Sequence, residues 1–278
     1  MQLSAVIVTY RTGPILFDCL GALLADEDIE EVVVVDNGNP TELELRLDAL
    51  RLREAKLRVL RGHGNVGFAR ACNHGARTAH GETLLFVNPD VIVERGAARG
   101  MRAALDGLPS PAIVGGDLRT AEGGPDRGSR RDRVTLWRAV VSYSGVSRFA
   151  GSIALCRDLH RHHEPLPADA IAVGAVSGAL LMMRRADFMA LGGFDEDYFL
   201  HFEDVDLCRR VEEAKGAVMF QPGAIGTHMR STSDAPAAWI TRHKLRGLAH
   251  YVRKFAHSPL ERFIAGLMQG ALKTFLPV

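Results

Sequence analysis

The segment Glu31-Val32-Val33-Val34-Val35-Asp36 sets four consecutive valines between two carboxylates. β-Branched side chains are stiff at χ1 and favour extended backbone. No polar residue alternates among them, so both faces of the strand must be buried. That is the condition of a parallel sheet covered by helices on both sides. Leu3-Ser4-Ala5-Val6-Ile7-Val8-Thr9-Tyr10 reads the same way.

The intervening segments fit that demand. Pro14 opens a helix in which Ile15, Leu16, Cys19, Leu20, Leu23 and Leu24 recur at helical spacing. Asp36-Asn37-Gly38-Asn39-Pro40 is a turn, followed by a charged helix from Thr41 to Ala55. Leu57 to Leu60 and Glu82 to Val87 are further strands, with a loop and helix from Gly64 to Ala79 between them. Alternating strands and helices predict an α/β fold with a mainly parallel sheet flanked by helices. Arg119 to Arg133, rich in Gly, Arg and Asp, is expected to be a mobile loop. Gly174 to Met183 is expected to be one more buried strand, followed by a helix from Arg185 to Leu191 and the turn Gly192-Gly193.

At 278 residues the chain can bury one large domain plus a helical appendage. A net charge of +1 provides no global field for nucleic acid, which is therefore not an expected partner. Cys19, Cys72, Cys156 and Cys208 form no CxxC pair, and four thiols in a chain this long suit a reducing compartment. Met1-Gln2-Leu3-Ser4 runs straight into a strand without the features of a signal peptide. The longest apolar run is too short to span a bilayer, which takes about 20 residues. The expectation is a cytoplasmic protein that meets a membrane only at its surface.

Ligands of open α/β sheets bind at the carboxyl ends of the strands. Tyr10, Asp36 and Asn88-Pro89-Asp90 all fall there. No GxGxxG follows the first strand and no GxxxxGK[ST] occurs, which removes the main support for hydride transfer and for P-loop phosphotransfer. Asp36 is either an Asx-turn cap or a carboxylate for a base N–H or ribose hydroxyls. In Gly64-Asn65-Val66-Gly67-Phe68-Ala69-Arg70 the glycines allow close backbone approach, and Arg70 with the helix start offers positive charge to a diphosphate. Asp90 can supply an oxygen ligand to Mg²⁺ or Mn²⁺, and His228 an imidazole nitrogen. Glu203, Asp204 and Asp206 crowd three carboxylates into four positions, suiting either helix capping or a general base.

Taken in order, Val8-Thr9-Tyr10, Val35-Asp36-Asn37, Asn65 to Ala69, Asn88-Pro89-Asp90 and Phe202 to Leu207 resemble the family 2 glycosyltransferases, and within them the bacterial rhamnosyltransferase-like branch. The resemblance spans roughly Leu3 to His257. It implies a GT-A fold and an inverting transfer of sugar from a nucleotide-diphosphate donor to a hydroxyl of a glycan or polyprenyl-linked acceptor, as in bacterial polysaccharide synthesis. The first expectation for the donor is dTDP-rhamnose. The implied organisation is a catalytic domain over 3–235, with a donor half over about 3–117 and an acceptor half over about 118–235, and a helical extension over 236–278. By the same resemblance Thr9, Tyr10, Asp36, Asn65, Gly67, Arg70 and Asn88 bind the donor. Asp90 and His228 hold a divalent cation, Mg²⁺ or Mn²⁺. Asp204 is the catalytic base with Glu203 orienting it or the acceptor, and Ser177 and Gly178 lie beside the acceptor. Asn88 stands where many members have an acid, which leaves Asp90 the motif's only carboxylate and throws more of the metal on His228.

Towards the C-terminus Arg242, Lys244, Arg246, Arg253, Lys254 and Arg262 precede or interleave with Leu260, Phe263, Ile264, Leu267, Met268, Ala271, Leu272 and Phe275. Such a helix either packs on the core or a second subunit, making a homodimer, or lies on an anionic membrane surface. Two rival functions are weighed. A catalytically inactive nucleotide-sugar binding or scaffold protein would not need Glu203 and Asp204 together. A nucleotidyltransferase would carry a glycine- and basic-rich loop after the first strand, which Tyr10-Arg11-Thr12-Gly13-Pro14 does not supply.

Overall fold

The computed structural model describes residues 2–135, 137–138, 142, 158–229, 236–256 and 258–275, without the side chains of 237, 269 and 271–275. Strands β1 (Leu3–Thr9), β2 (Glu31–Asp36), β3 (Leu57–Leu60) and β4 (Thr83–Val87) form a parallel array in the order β3-β2-β1-β4. Helices α1 (Ile15–Ala25), α2 (Thr41–Arg51) and α3 (Phe68–Thr78) connect them. The valine run works as its composition requires. Val32 and Val34 join the core under α1 and α2 with Leu16, Leu20 and Leu47, while Val33 and Val35 join the opposite core under α3 with Ala69, Cys72 and Ala76. A period of two thus divides one apolar strand between two faces. Small residues let α3 sit very close to the sheet: a Cβ on Gly75 would lie 2.4 Å from Val6 Cγ1.

Beyond β4 the sheet becomes mixed. After β5 (Val91–Val93) and α4 (Ala97–Asp106), β6 (Ala112–Thr120) runs parallel to β11 (Ala217–His228). β10 (Leu180–Arg184) is inserted antiparallel between β4 and β6, and β5 pairs antiparallel with β11. The two-residue β8 (Ile171–Ala172) also joins β11. The sequence pattern assigns no strand or helix over 91–118 or 217–228.

Two local expectations are corrected. Gly174 to Met183 is not one strand. β9 (Ala175–Val176) pairs with β7 (Arg130–Arg131) in a separate ribbon, the chain turns at Ser177-Gly178-Ala179, and β10 then enters the main sheet. Every residue of the run is apolar or small, so nothing in its pattern marks the turn. Nor is Arg119 to Arg133 a loose loop. Ser129 Oγ donates to Gly116 O and accepts from Leu118 N, and the buried Arg130 guanidinium donates to the carbonyls of Glu164 and Pro165. Polar composition suggests solvation, but here the polar groups satisfy backbone partners inside the fold.

After α5 (Arg185–Ala190) and α6 (Glu203–Glu213), the chain ends in α7 (Ala237–Lys254) and α8 (Pro259–Phe275). α7 is packed on the sheet-bearing body. Ala249, Tyr251 and Val252 are buried, and Tyr251 Oη donates to Val134 O at 3.2 Å. α8 buries Ala265 but leaves Leu260 66%, Phe263 64% and Leu267 59% exposed. The side chains of Ala271, Leu272 and Phe275 lie outside the described set, as does Cys156; Cys19, Cys72 and Cys208 are buried free thiols. Among the described residues no helix is long and apolar enough to cross a membrane.

Candidate active site

The carboxyl ends of β1 and β2 carry a connected polar layer. Asp36 Oδ1 accepts from Gly38 N, Asn39 N and Asn39 Nδ2 at 3.0, 3.0 and 2.7 Å, which is the Asx-turn reading. Its Oδ2 is buried with no hydrogen-bond partner; the nearest cation, Arg61 Nε, is 4.0 Å away. One oxygen therefore builds the turn, as the Asx-turn alternative expects, and the other remains an open acceptor. Thr9 is fully buried and spends its hydroxyl on Thr12 and Asn39, supporting the layer from below. Tyr10 lies against Gly38, with Arg11 over its ring at 5.5 Å. A depression of about 390 Å³ opens beside them, lined by Arg11, Gly13, Gly38, Asn39, Pro40 and Leu43.

Asn37, which carried no role in the sequence reading, ties this layer to the loop before α3. Its Nδ2 donates to Gly67 O at 3.2 Å and lies 3.5 Å from Asn65 Oδ1. Asn65 Oδ1 also accepts from Gly67 N at 3.1 Å. The close approach that Gly67 permits is made by Phe199: a Cβ on Gly67 would lie 2.7 Å from Phe199 O. Arg70 Nε donates to Glu196 Oε2 at 2.9 Å in a cluster with Asn73 and Arg77.

The corner after β4 meets the end of β11. His228 Nε2 lies 3.3 Å from Asp90 Oδ1, and its Nδ1 lies 3.1 Å from Asp126 Oδ2. Burial pulls the imidazole pKa down, but hydrogen bonds and charge from Asp126 and Asp90 outweigh it and raise the value to about 9. The imidazole of His228 thus lies between two buried carboxylates, a place that favours positive charge. Asp126, 2% exposed and anchored by its own N–H on Leu118 O, was missed because it sits in the segment read as a mobile loop. Asn88 sits in the same corner, its N–H bonded to Ala179 O at 3.0 Å.

Ala179 belongs to the turn that reaches the second carboxylate centre. Gly178 N donates to Asp204 Oδ2 at 3.1 Å, and Ser177 Oγ accepts from Ala179 N at 3.2 Å. Arg131 Nη2 donates to the same Asp204 oxygen at 2.6 Å. Burial pushes the Asp204 carboxyl up, yet Arg131 and the N–H groups of Gly178 and Val205 leave it below the usual carboxylate range. The adjacent Glu203 turns inward with Oε2 buried and unpartnered, and burial followed by the Asp204 charge raises it to about 8. One of two neighbouring carboxyls is ionised and the other neutral, the separation that acid–base sites exploit. Asp206, fully buried, is structural: Arg210, Tyr198 and Lys254 all bind it.

The backbone before these residues is unusual. His201 and Phe202 have φ of 69° and 76°, the left-handed region that bulky side chains avoid. α7 supports the turn, since a Cβ on Gly247 would lie 2.7 Å from His201 O. Strained backbone of this kind gathers at functional sites. The cluster Asp195, Asp197 and His250 also has ligand-type atoms close together, but Lys254 Nζ already lies 2.6 Å from Asp195 Oδ2.

Four parallel strands continued by an antiparallel insertion make the mixed sheet of a GT-A fold. Residues 4–190 match the model of glycosyl transferase family 2, and the chain belongs to that family. It is 28% identical over 257 residues to the N-acetylglucosaminyl-diphospho-decaprenol L-rhamnosyltransferase of Mycobacterium tuberculosis, covering 87% of this chain and 81% of that one. The fold is similar to GalNAc-T7 solved with UDP, GalNAc and Mn²⁺ (TM-score 0.64, 16% identity, 99% of this chain and 56% of that one). It is also similar to the mannosyltransferase PcManGT of Pyrobaculum calidifontis solved with GDP-Man and Mn²⁺ (TM-score 0.59, 19% identity, 98% and 69%).

Proposed function

We propose that this glycosyltransferase is an inverting enzyme that moves a sugar from a nucleotide-diphosphate donor to a hydroxyl of a polyprenyl-linked glycan, with Asp204 as base. The observation that carries the reading is the Asp204 carboxylate, kept ionised and held at the first turn of α6 by Arg131 and Gly178. Asp204 takes the acceptor hydroxyl proton. The oxygen attacks the anomeric carbon on the face opposite the diphosphate, the carbon–oxygen bond to phosphate breaks, and inversion follows. The open oxygen of Asp36 and the face of Tyr10 receive the nucleoside. Rhamnose from dTDP-rhamnose is the favoured donor, and the mycobacterial relative, an L-rhamnosyltransferase named for a diphospho-decaprenol-linked sugar, supports both donor and acceptor class.

Asp90 and His228 fit a divalent cation: one carboxylate and one imidazole, with His228 oriented from behind by Asp126. When bound, the ion neutralises charge on the departing diphosphate. Residues 3–235 are read as the catalytic domain and 236–278 as a helical extension. The exposed Leu260, Phe263 and Leu267 of α8 support surface contact with the membrane that carries such an acceptor. A catalytically inactive binder is disfavoured, because binding a nucleotide sugar gives no reason to bury Arg131 against Asp204.

The test is release of nucleoside diphosphate from dTDP-, UDP- and GDP-sugars with Mn²⁺, Mg²⁺ or chelator, using a polyprenyl-diphosphate-linked sugar as acceptor. Metal-dependent release from one donor is expected, reduced several powers of ten in Asp204→Asn with donor binding retained. Near-parental turnover in that variant would remove the base assignment. No release and no calorimetric binding with any donor would return the protein to the binding reading.

A further inference from the structure

The sequence motifs assign Arg131 no role, yet it is the cation in contact with Asp204. It sits on β7, where Arg131 pairs with Ala175 of β9 and bridges to His160 on its other side. The guanidinium is therefore delivered from a strand fixed on both edges. Nη2 donates to Val176 O and to Asp204 Oδ2, both at 2.6 Å, and the two side chains of the pair are each 13% exposed. On the opposite side Gly178 leaves no slack, since a Cβ there would lie 3.2 Å from Asp204 Cβ. Oδ2 thus takes two bonds, whereas Oδ1 takes one, from Val205 N at 2.7 Å. A carboxylate oxygen has two acceptor positions, so Oδ1 keeps one for an incoming O–H.

We propose that Arg131 is a positioning residue of the transfer reaction: it clamps Asp204 through Oδ2, makes Asp204 rather than Glu203 the charged member of the adjacent pair, and leaves Oδ1 to take the acceptor proton. This rests on the reading of Asp204 as base. The groups that face Asp204 are Glu203 and Cys208 on its own helix, His201 before it and Arg131 from β7; Asp206 faces Glu203, and Lys244 of α7 faces His201. Two buried carboxyls side by side do not both ionise. The one that receives the fixed guanidinium is charged, and the assignment of roles follows from which side β7 lies on.

Arg131→Gln and Arg131→Lys are compared with the parent and with Asp204→Asn in pH profiles of kcat and in donor calorimetry. Arg131→Gln is expected to bind donor normally, to lose about 10²-fold in kcat and to move the acidic limb up by about 1–3 pH units. Arg131→Lys keeps the charge but replaces the planar guanidinium, whose Nη2 bonds both Val176 O and Asp204 Oδ2, with a shorter and more mobile ammonium. Its limb is expected near the parent's, with kcat down about tenfold. A merely structural pair would lower melting temperature or kcat without moving the limb. Arg131→Gln that binds donor and shows the parental limb overturns the proposal. If Arg131→Gln does not fold, parental kcat in Arg131→Lys overturns it. Retained turnover in Asp204→Asn removes the base reading, and the clamp's role with it, by a separately visible route.

Discussion

Replacing Gly67 by alanine tests whether the turn before α3 is shaped by its packing against Phe199. Gly67 has φ 85° and ψ 168°, a region essentially confined to glycine. Holding alanine there costs about 1–3 kcal/mol. The new methyl would also stand 2.7 Å from Phe199 O and 2.9 Å from Phe199 Cδ2, and overpacking of that kind adds about 1–3 kcal/mol. Phe199 cannot simply withdraw, because its carbonyl accepts from Phe68 N at 2.7 Å. The total is roughly 2–6 kcal/mol, and at about 2–4 °C per kcal/mol for a chain of this size class a mid-range loss lowers Tm by about 8–16 °C. Gly64→Ala is the matched control. Gly64 has φ +64° but nothing within 4 Å of its Cβ position, so only the backbone cost of about 1–2 kcal/mol applies. Thermal unfolding by circular dichroism on both variants, with kcat and donor KM, separates the two costs. Because Phe199 leads into His201, Phe202 and Glu203, kcat should fall more than donor affinity in Gly67→Ala. A Tm within about 2 °C of Gly64→Ala would refute the steric argument, since overpacking would then be absent.

Asp126→Asn should weaken Mn²⁺ binding about 10- to 100-fold in titrations followed by electron paramagnetic resonance, because the imidazole that ligates loses its orienting carboxylate; unchanged affinity would detach Asp126 from the metal corner. Glu203 has a folded-state value near 8 against an ordinary 4.5, so its contribution to stability is full below pH 4.5 and is lost as pH rises towards 8. Glu203→Gln removes that loss, and urea unfolding at pH 5.5 and 7.5 should show the variant gaining about 2–3 kcal/mol on the parent between the two; a constant difference would mean Glu203 is not held neutral. Removal of residues 258–278 should abolish binding to vesicles containing anionic lipid; if the full chain binds none, α8 covers another surface, and ultracentrifugation would show a dimer.

Much of the N-terminal half was legible because its signals are local. Alternating apolar strands and helices, glycines at turns and an acid at the end of β2 are each written within ten residues or so, and the family motifs add order to them. The C-terminal half was less legible. The break at Ser177-Gly178-Ala179 is invisible in a run of small and apolar residues, and it exists because Gly178 N–H is needed by a carboxylate 26 positions later. Arg70, in the first turn of α3, pairs with Glu196, 126 positions away, a contact that no local pattern announces.

By itself the sequence determined the covered parallel strands, the strand-end location of Asp36 and Asp90, and the acidic start of α6, since periodicity, turn chemistry and short motifs need no distant partner. Only the tertiary structure decided that Asp126 grips His228, that Arg131 clamps Asp204, and that Glu203 is the neutral carboxyl of the pair. Those outcomes depend on which residues separated by 73 or 102 positions come within 2.6 and 3.1 Å of each other. Charge in a buried site is set by such contacts and by exclusion of water, and neither is a property of any local stretch of chain.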